Sequence, residues 1–578
     1  MDNGYTNGKN IKILVVCGVL LLSAVSATWM LSEKTLDNHE CYVSVTTREM
    51  LKSGDWVMPT CNDMPRLQKT PLSYWLAGGV AKITGEVNEF SARLPSAVFA
   101  FLSAAAILYF VKQWLSFRIA VLSACVWATT LCYFNYSHNA RPEMSLAFFV
   151  LLCFLSFYSA INVQSRKRQI AYILIFWISF ALGNLAKGPA PLPLVLVPLF
   201  FYVAIFRQWR KLFNWVSVVG LIIFLAILLP WPLAIAYKVN WNLIVWKHHF
   251  VDRFFGTYAK GHYPPYFYFL MMFRYIVPWV AFLPLALAAP FCKIWNKKRP
   301  VMQFLWLWFV ADFIFLTICG GKRQHYILPV MPAMAILIGI LLEDMVFGQR
   351  AYERKFVARI LQGHIAVVVV GIIVATLCIA KISPVNLHKM LMLAAVTIAA
   401  AAITSVLFAK GKNSWGCTVV FAGVLVWNMI SYASFASLVD GFRYSRDFSK
   451  EAAQIVPPAE NVIAYKHVSS NFVHYFGKTV PIVSDVNEVY THYQNGDWVV
   501  ATSAHVIDLA MDSRFREVYH NNKMDQIDKY RALFHKSAPV IKDSNDTSRD
   551  FFIPSENGCI PPQSLSVHVC LQSFLLSR

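Results

Sequence analysis

Residues 36–80 read LDNHECYVSVTTREMLKSGDWVMPTCNDMPRLQKTPLSYWLAGGV. This polar stretch, with clustered acids, bases and aromatics, lies between apolar runs at 11–32 and 91–112. Irregular polar backbone belongs in water or against a cavity, not in lipid. The loop 33–90 is therefore expected outside the hydrocarbon, as the core of an active site at the membrane surface. Cys41 to Leu51 has helical character and is expected to lie along that surface, and Ser53-Gly54-Asp55 breaks it. Pro71 to Ala81 reads as a second interfacial helix, whose Tyr74 and Trp75 suit the headgroup layer.

The rest of the chain explains why such a loop stands out. Of 578 residues, 57% are hydrophobic and 14% charged, with mean hydropathy +0.49. Soluble domains carry about 25% charged residues, so the composition is that of a polytopic membrane protein. The net charge of +21 does not point to nucleic acid, because the bases sit in short loops between apolar runs. These are Arg166-Lys167-Arg168, Arg207 to Lys211, Lys293 to Arg299, Arg350 to Arg359, and Lys410 with Lys412. Such loops are cytoplasmic by the positive-inside rule.

A spanning helix needs about 20 apolar residues. Thirteen candidates lie near 11–32, 91–112, 118–137, 141–163, 169–186, 188–206, 213–237, 265–291, 301–320, 325–346, 357–381, 387–409 and 414–436. Lys9 and Lys12 place the amino terminus inside, and alternation then puts every basic loop inside as well. The first span is not expected to be a cleaved signal, since Trp29 and Met30 follow it in place of a small-residue cleavage site. Three outer segments result: 33–90, 239–264 and 320–329. Past about residue 440 the runs NVIAY, VPIV and DWVVATS alternate with helix-like stretches, as in a small α/β domain. The expected fold class is mostly α. It comprises a transmembrane domain over 1–438, including the 33–90 loop, and an extracytoplasmic α/β domain over 439–578.

Several polar residues on the outer side have two readings. Asp37, His39 and Glu40 follow the first span; a carboxylate there can act as a general base or cap the next helix. Lys69 can hold a phosphate as a point charge or snorkel to the interface, and Arg66 is a nearby second cation. Arg141 and Glu143, in HNARPEM, line a cavity or pair with each other. Lys187, in NLAKGP, is accounted for by the turn at Gly188-Pro189. The second outer segment holds His248, His249, Asp252, Arg253 and His262. A divalent metal is an open alternative there, although the spacing matches no zinc motif. Lys322, Arg323 and His325 place positive charge on an outer turn, against the orientation rule, and an anionic ligand is the simplest reason. Cations from three separate loops thus describe a pocket for a phosphate on something lipidic. Cys41 with Cys61 and Cys559 with Cys570 fall on the outer side, where disulfides persist.

The order of these features resembles the polyprenyl-phosphate-dependent glycosyltransferases of the GT-C fold, with similarity to bacterial aminoarabinose transferases and, more broadly, protein mannosyltransferases. The segments that carry the resemblance are HECYVSVTTREMLKSGDWVMPTCNDMPRLQKTPLSYWL, FSARLPSAVFA, NLAKGPAPLPLVLVPL, KHHFVDRFFGTYAKGHYPPYFY, IVPWVAFLP and GGKRQHYILPVMPAMAIL. The resemblance implies that Lys69, Arg253 and Lys322 contact a donor phosphate. Glu40, Asp37 or Glu143 would serve as the acid. His39, Arg66, Arg141, His248, His262 and Tyr326 would line the substrate. The chain departs from the family in having His39-Glu40 for an Asp-Glu pair, Glu143 for an aspartate, and Gln68 for a glutamate beside the lysine, which argues against a metal there. The implied reaction moves a sugar from undecaprenyl phosphate to an extracytoplasmic acceptor, lipid A or another envelope glycolipid. A protein hydroxyl is the alternative acceptor. The implied location is the inner membrane, with the site and the carboxyl-terminal domain facing the periplasm. A transporter or flippase of anionic lipids is the rival of another class; against it stand the lack of an inverted repeat and the expectation of unbroken helices.

Overall fold

The computed structural model of the protein describes residues 2–212, 214–239, 247, 252, 263–348, 387–441, 445–502, 504–521 and 531–539. Nine described helices are long and apolar enough to cross a membrane, from Asn10–Thr28 to Asn413–Ser434. The protein is a multi-pass membrane protein. The expected span at 188–206 is the shorter helix Pro191–Phe206. The one at 357–381 lies outside the described residues.

The expectation of unbroken helices fails at two spans. Phe117–Ala128 and Leu131–Ser137 meet at 60°, and Phe267–Ile276 and Trp279–Phe291 at 118°. Each break has a local cause. Thr130 is extended, and its side chain accepts the Tyr133 N–H to start a new helix. Val277, at φ −48° and ψ 135°, leaves the helical region because it precedes Pro278, whose ring disfavours that region before it. Broken helices therefore do not separate this chain from transporters.

The chain divides into two compact units. The first comprises Met1–Leu31, Trp56–Met58 and Leu67–Phe435. Its centre is set by burial. The apolar stretches of Glu143–Asn162 and Gln324–Phe347 are 94% and 89% buried, whereas that of His388–Ala409 is 6% buried among the described residues. Phe154 stacks on Trp308 at 4.0 Å in this core. Glu143–Asn162 and Arg166–Lys187 are joined by only three residues, so they run antiparallel. At Gly183 they pack closely: a Cβ there would stand 3.3 Å from both Phe149 Cβ and Pro191 Cγ. The helix Leu72–Thr84 also belongs to this unit, and its Trp75 indole donates to the Trp56 carbonyl at 2.7 Å.

The second unit comprises Ser32–Asp55, Pro59–Arg66 and Ala436–Arg578. Much of the first outer loop thus packs with the carboxyl-terminal α/β part, where the sequence reading had placed it with the membrane domain. The helix Asn38–Ser53 does not have a surface helix's single apolar stripe. Val43, Ser44, Val45, Thr46 and Thr47 are all buried in succession, so it packs against protein on most sides. Arg48 donates to the carbonyls of Val473 and His474, closing the end of the helix Ser470–Phe476. A two-stranded hairpin follows, β1 (Thr60–Cys61) and β2 (Met64–Pro65), turned by Asn62 and Asp63 at φ 58° and 57°. Two positive φ values in a two-residue loop mark a type I′ turn, which favours Asn and Asp. Asn62 then pairs with the Val480 backbone in both directions, at 2.7 and 2.8 Å. Cys41 and Cys61 are both thiols, so the disulfide left open by the sequence is absent there: Cys41 is enclosed in the helix, with its Sγ directed at the Leu36 carbonyl. Cys559 and Cys570 lie outside the described residues.

The main sheet has the order β4-β3-β5-β7-β6, with β3 (Val462–Tyr465), β4 (Ile482–Val483), β5 (Trp498–Thr502), β6 (Glu517–His520) and β7 (Arg531–Phe534). β4, β3 and β5 are parallel, and β7 runs antiparallel to β5 and β6. β3 and β5 are buried at every position and apolar at all but Thr502, as suits strands covered on both faces. Val462, Ala464 and Val500 face a core with Phe448 and Phe472; Ile463, Val499 and Ala501 face one with Val489 and Leu509.

His474 gives this unit a pH dependence. Its Nδ1 lies 3.1 Å from Ser44 Oγ, and burial, reinforced by Arg48 and Lys450, pushes the imidazole down to about 3. Unfolded, it titrates near 6.5, so between those values the unfolded chain takes up the proton first. This contribution is complete above about pH 6.5 and is lost as pH falls towards 3. Near pH 5 the expected loss is about 2 kcal/mol. Unfolding midpoints of the detergent-solubilised protein at pH 7 and 5 should show this fall, and His474→Asn should flatten it. An equally steep variant would exclude His474 as the cause.

Candidate active site

The membrane unit carries a buried ionic cluster at the start of its central helix. Glu143 is the first residue of Glu143–Asn162 and Lys187 the last of Arg166–Lys187. Each therefore sits at the helix end whose dipole favours its charge, and the antiparallel hairpin brings the two ends together. Lys187 Nζ lies 3.0 Å from Glu143 Oε1, with both side chains under 10% exposed. His325 Nε2 reaches the same oxygen at 3.3 Å. Glu143 Oε2 is buried with no hydrogen-bond partner among the described residues.

Three further segments close on this pair. Thr70 Oγ1 accepts the Gly188 N–H at 3.0 Å, tying the Lys69-Thr70 turn to the turn that ends the Lys187 helix. Arg141 and Lys69 both act electrostatically on His325, alongside Lys187 and Glu143. The Tyr326 ring lies 5.5 Å from Lys187 Nζ. The segment before His325 is pinned by Tyr268, whose hydroxyl accepts the Arg323 N–H at 3.2 Å and donates to the Arg323 carbonyl at 3.1 Å. Lys322, three residues before His325, is buried on that same turn. Lys187, Arg141 and the His325 imidazole thus act on one carboxylate, Lys69 acts on His325 and Lys322 is buried on the adjoining turn, an excess of positive charge suited to an anionic ligand.

Of the expected site residues, Lys69, Arg141, Glu143, Lys322 and Tyr326 fall in this unit. Asp37, His39, Glu40 and Arg66 fall in the other. There Asp37 and Glu40 form a reciprocal capping box: Glu40 N–H donates to Asp37 Oδ1 at 2.8 Å, and Asp37 N–H to Glu40 Oε2 at 2.9 Å. Glu40 is buried and His39 exposed. The Arg66 guanidinium lies over the Tyr42 ring at 3.9 Å. Arg253, His248 and His262 lie outside the described residues. Among the described residues, no group of three or more His, Cys, Asp or Glu could hold a metal ion. Sequence reasoning missed Lys187 as a member of the cluster and took its segment for a turn. The usable signal was a lysine ending an apolar helix, which calls for a carboxylate partner.

A family profile described as dolichyl-phosphate-mannose-protein mannosyltransferase matches residues 68–233. An undecaprenyl phosphate-α-4-amino-4-deoxy-L-arabinose arabinosyl transferase of Enterobacter sp. (strain 638) is 27% identical over 58% of this chain and 60% of its own length. An uncharacterised Aquifex aeolicus protein is 30% identical over 58% of this chain and 80% of its own. The chain thus spans less than two thirds of the Enterobacter transferase. The crystal structure of ArnT from Cupriavidus metallidurans bound to undecaprenyl phosphate superposes with a TM-score of 0.78 at 18% identity, covering 92% of this chain and 98% of that one. The fold is therefore GT-C. The chain shares this fold and is similar in sequence to the aminoarabinose transferases and, over residues 68–233, to the protein mannosyltransferase family.

Proposed function

We propose that this protein is an integral membrane glycosyltransferase that moves a sugar from a polyprenyl-phosphate donor to an envelope glycolipid such as lipid A. The observation that carries this reading is the cationic cluster around Glu143, built from the segments that resemble the family. An acceptor oxygen attacks the anomeric carbon, the bond from that carbon to the phosphate oxygen breaks, and polyprenyl phosphate leaves. Lys69 and Lys322, with Arg253 from the second outer segment, stabilise the charge that develops on the leaving phosphate. Arg141 and Tyr326 bind the sugar in the membrane unit; His39, Arg66, His248 and His262 are the other residues assigned to substrate binding from the sequence. Glu143 fixes Lys187 and His325 through Oε1 and offers Oε2 to a substrate hydroxyl. Glu40, Asp37 or Glu143 orients or deprotonates the acceptor.

Charge-assisted contacts to phosphate contribute about 1.5–3 kcal/mol. Lys69→Ala and Lys322→Ala are each expected to lower transfer at least about tenfold. The assay is transfer of labelled sugar to extracted lipid, normalised to folded protein. Label appearing on protein in place of lipid would move the acceptor assignment to a protein hydroxyl. Wild-type rates in both variants would refute the phosphate role.

The basic loops support an inner-membrane orientation with the carboxyl-terminal unit in the periplasm. Met511 is 76% exposed in that unit. In a background without other reactive cysteines, Met511→Cys should react with a membrane-impermeant maleimide in cells with a permeabilised outer membrane. Protection until the inner membrane is broken would reverse the orientation.

A further inference from the structure

The α/β unit has a feature that sugar transfer does not use, at the carboxyl edge of its sheet. From β3 the chain crosses through Ser470–Phe476 to β4 on one side, and from β4 through Val486–Gln494 to β5 on the other. The direction of winding therefore reverses between β3 and β5. In open α/β sheets, a crevice forms outside the carboxyl ends of the strands at such a point, and ligands bind there.

The residues at this place are basic. Lys466 and His467 follow β3 directly, and His505 follows β5. Arg531 opens β7 and is paired with Thr502, the last residue of β5. Asp508 is the acid among them: its Oδ2 lies 3.3 Å from both Lys466 Nζ and His505 Nδ1. Asp508 thus meets one lysine and one imidazole, while His505 and Arg531 both act on His467, so positive charge is in excess at this edge. Partial burial, with the charges of His505 and Arg531, holds the His467 imidazole below the usual histidine range, as expected where positive charge is in excess.

The backbone is also strained here. Lys466 has φ 59°, and the His467 N–H donates to the Tyr465 carbonyl at 2.7 Å. A positive φ under a bond between residues two apart is the rare, strained form of γ-turn. Glycine would hold this conformation without strain, yet the position carries a lysine. Strain retained in this way concentrates at functional sites.

We propose that the crevice at the carboxyl ends of β3 and β5 binds a phosphate group, held by Lys466, His467, His505 and Arg531. Asp508 holds Lys466 and His505 in place until the phosphate replaces it. The phosphate is carried either by a water-soluble phosphomonoester or by a lipid headgroup. This site is distinct from the cluster around Glu143 and does not depend on the reaction proposed there.

The test uses the full-length protein in detergent, with binding of inorganic phosphate followed by calorimetry at constant ionic strength. Saturable binding is expected, weakened at least about tenfold by Lys466→Gly and by His505→Asn, and unchanged by Met511→Ala, an exposed position of the same unit outside the crevice. Lys466→Gly also relieves the turn, so without phosphate its unfolding temperature should equal or exceed that of the wild type. Lost phosphate binding therefore cannot be ascribed to misfolding. Competition by glucose 1-phosphate supports the site with a soluble ligand. Stabilisation in nanodiscs containing phosphatidic acid, but not in phosphatidylcholine alone, supports it with a headgroup. No saturable binding by the wild type overturns the proposal. So does binding that Lys69→Ala abolishes and Lys466→Gly leaves intact, since that phosphate would occupy the membrane unit.

Discussion

Replacing Lys187 with methionine is expected to destabilise the membrane unit by roughly 3 kcal/mol, the low end of what breaking a buried ion pair costs. The reason is what stays behind. Lys187 and Glu143 are both almost wholly enclosed and lie 3.0 Å apart, and methionine fills the lysine's space without its charge. The Glu143 carboxylate then keeps the His325 imidazole, at 3.3 Å, and the charge of Arg141. Protonation of that imidazole recovers part of the loss, which is why the low end is expected. A double variant, Lys187→Met with Glu143→Gln, removes both charges and should recover most of the stability, because a neutral pair leaves no ion in an apolar site. It should not recover transfer if the pair positions His325 and the neighbouring cations. Unfolding midpoints in detergent and transfer per folded molecule, measured on the three variants and the wild type, separate these effects. If the single variant is as stable as the wild type, the pair is wetter than its burial implies and its structural role falls. If the double variant transfers sugar normally, the positioning role falls.

This pair also shows how far the sequence could be read. Apolar runs and basic loops disclosed the spans, because a bilayer tolerates little else over about 20 residues. They also pointed to Lys69, Arg141, Glu143 and Lys322, since charged residues at span ends need a reason to be there. What they could not disclose was which charges meet. The contact of Glu143 with Lys187 depends on two helix ends 44 residues apart, and it follows only once both helices are known to be neighbours. The breaks at Thr129-Thr130 and Val277-Pro278 were signalled by extended-favouring residues, but hydropathy averages over them. The partner of the first outer loop was hidden for a similar reason. The helix Asn38–Ser53 carries Ser44, Thr46 and Thr47 on buried faces, and small polar residues read alike whether they meet headgroups or protein.

Glu40→Gln is expected to lower turnover about a hundredfold, the lower range of what a positioned general base contributes, while stability changes by no more than about 1 kcal/mol. The capping box makes this substitution informative. Glu40 Oε2 accepts the Asp37 N–H at 2.9 Å, and a glutamine carbonyl oxygen can accept the same bond. The cap therefore survives in kind, and what is lost is the negative charge and the ability to take a proton. If the carboxylate only starts the helix, the variant should work at the wild-type rate per folded molecule. If it orients or deprotonates the acceptor, turnover falls with donor binding nearly unchanged, because the proposed phosphate-binding cations keep their charge in the variant. Steady-state transfer with purified protein, normalised to the folded fraction and paired with a direct measure of donor affinity, distinguishes the two. An unchanged rate would pass the role to Asp37 or to the Oε2 of Glu143. The same assay then applies to Asp37→Asn, which retains a side-chain oxygen able to accept the Glu40 N–H at the cap.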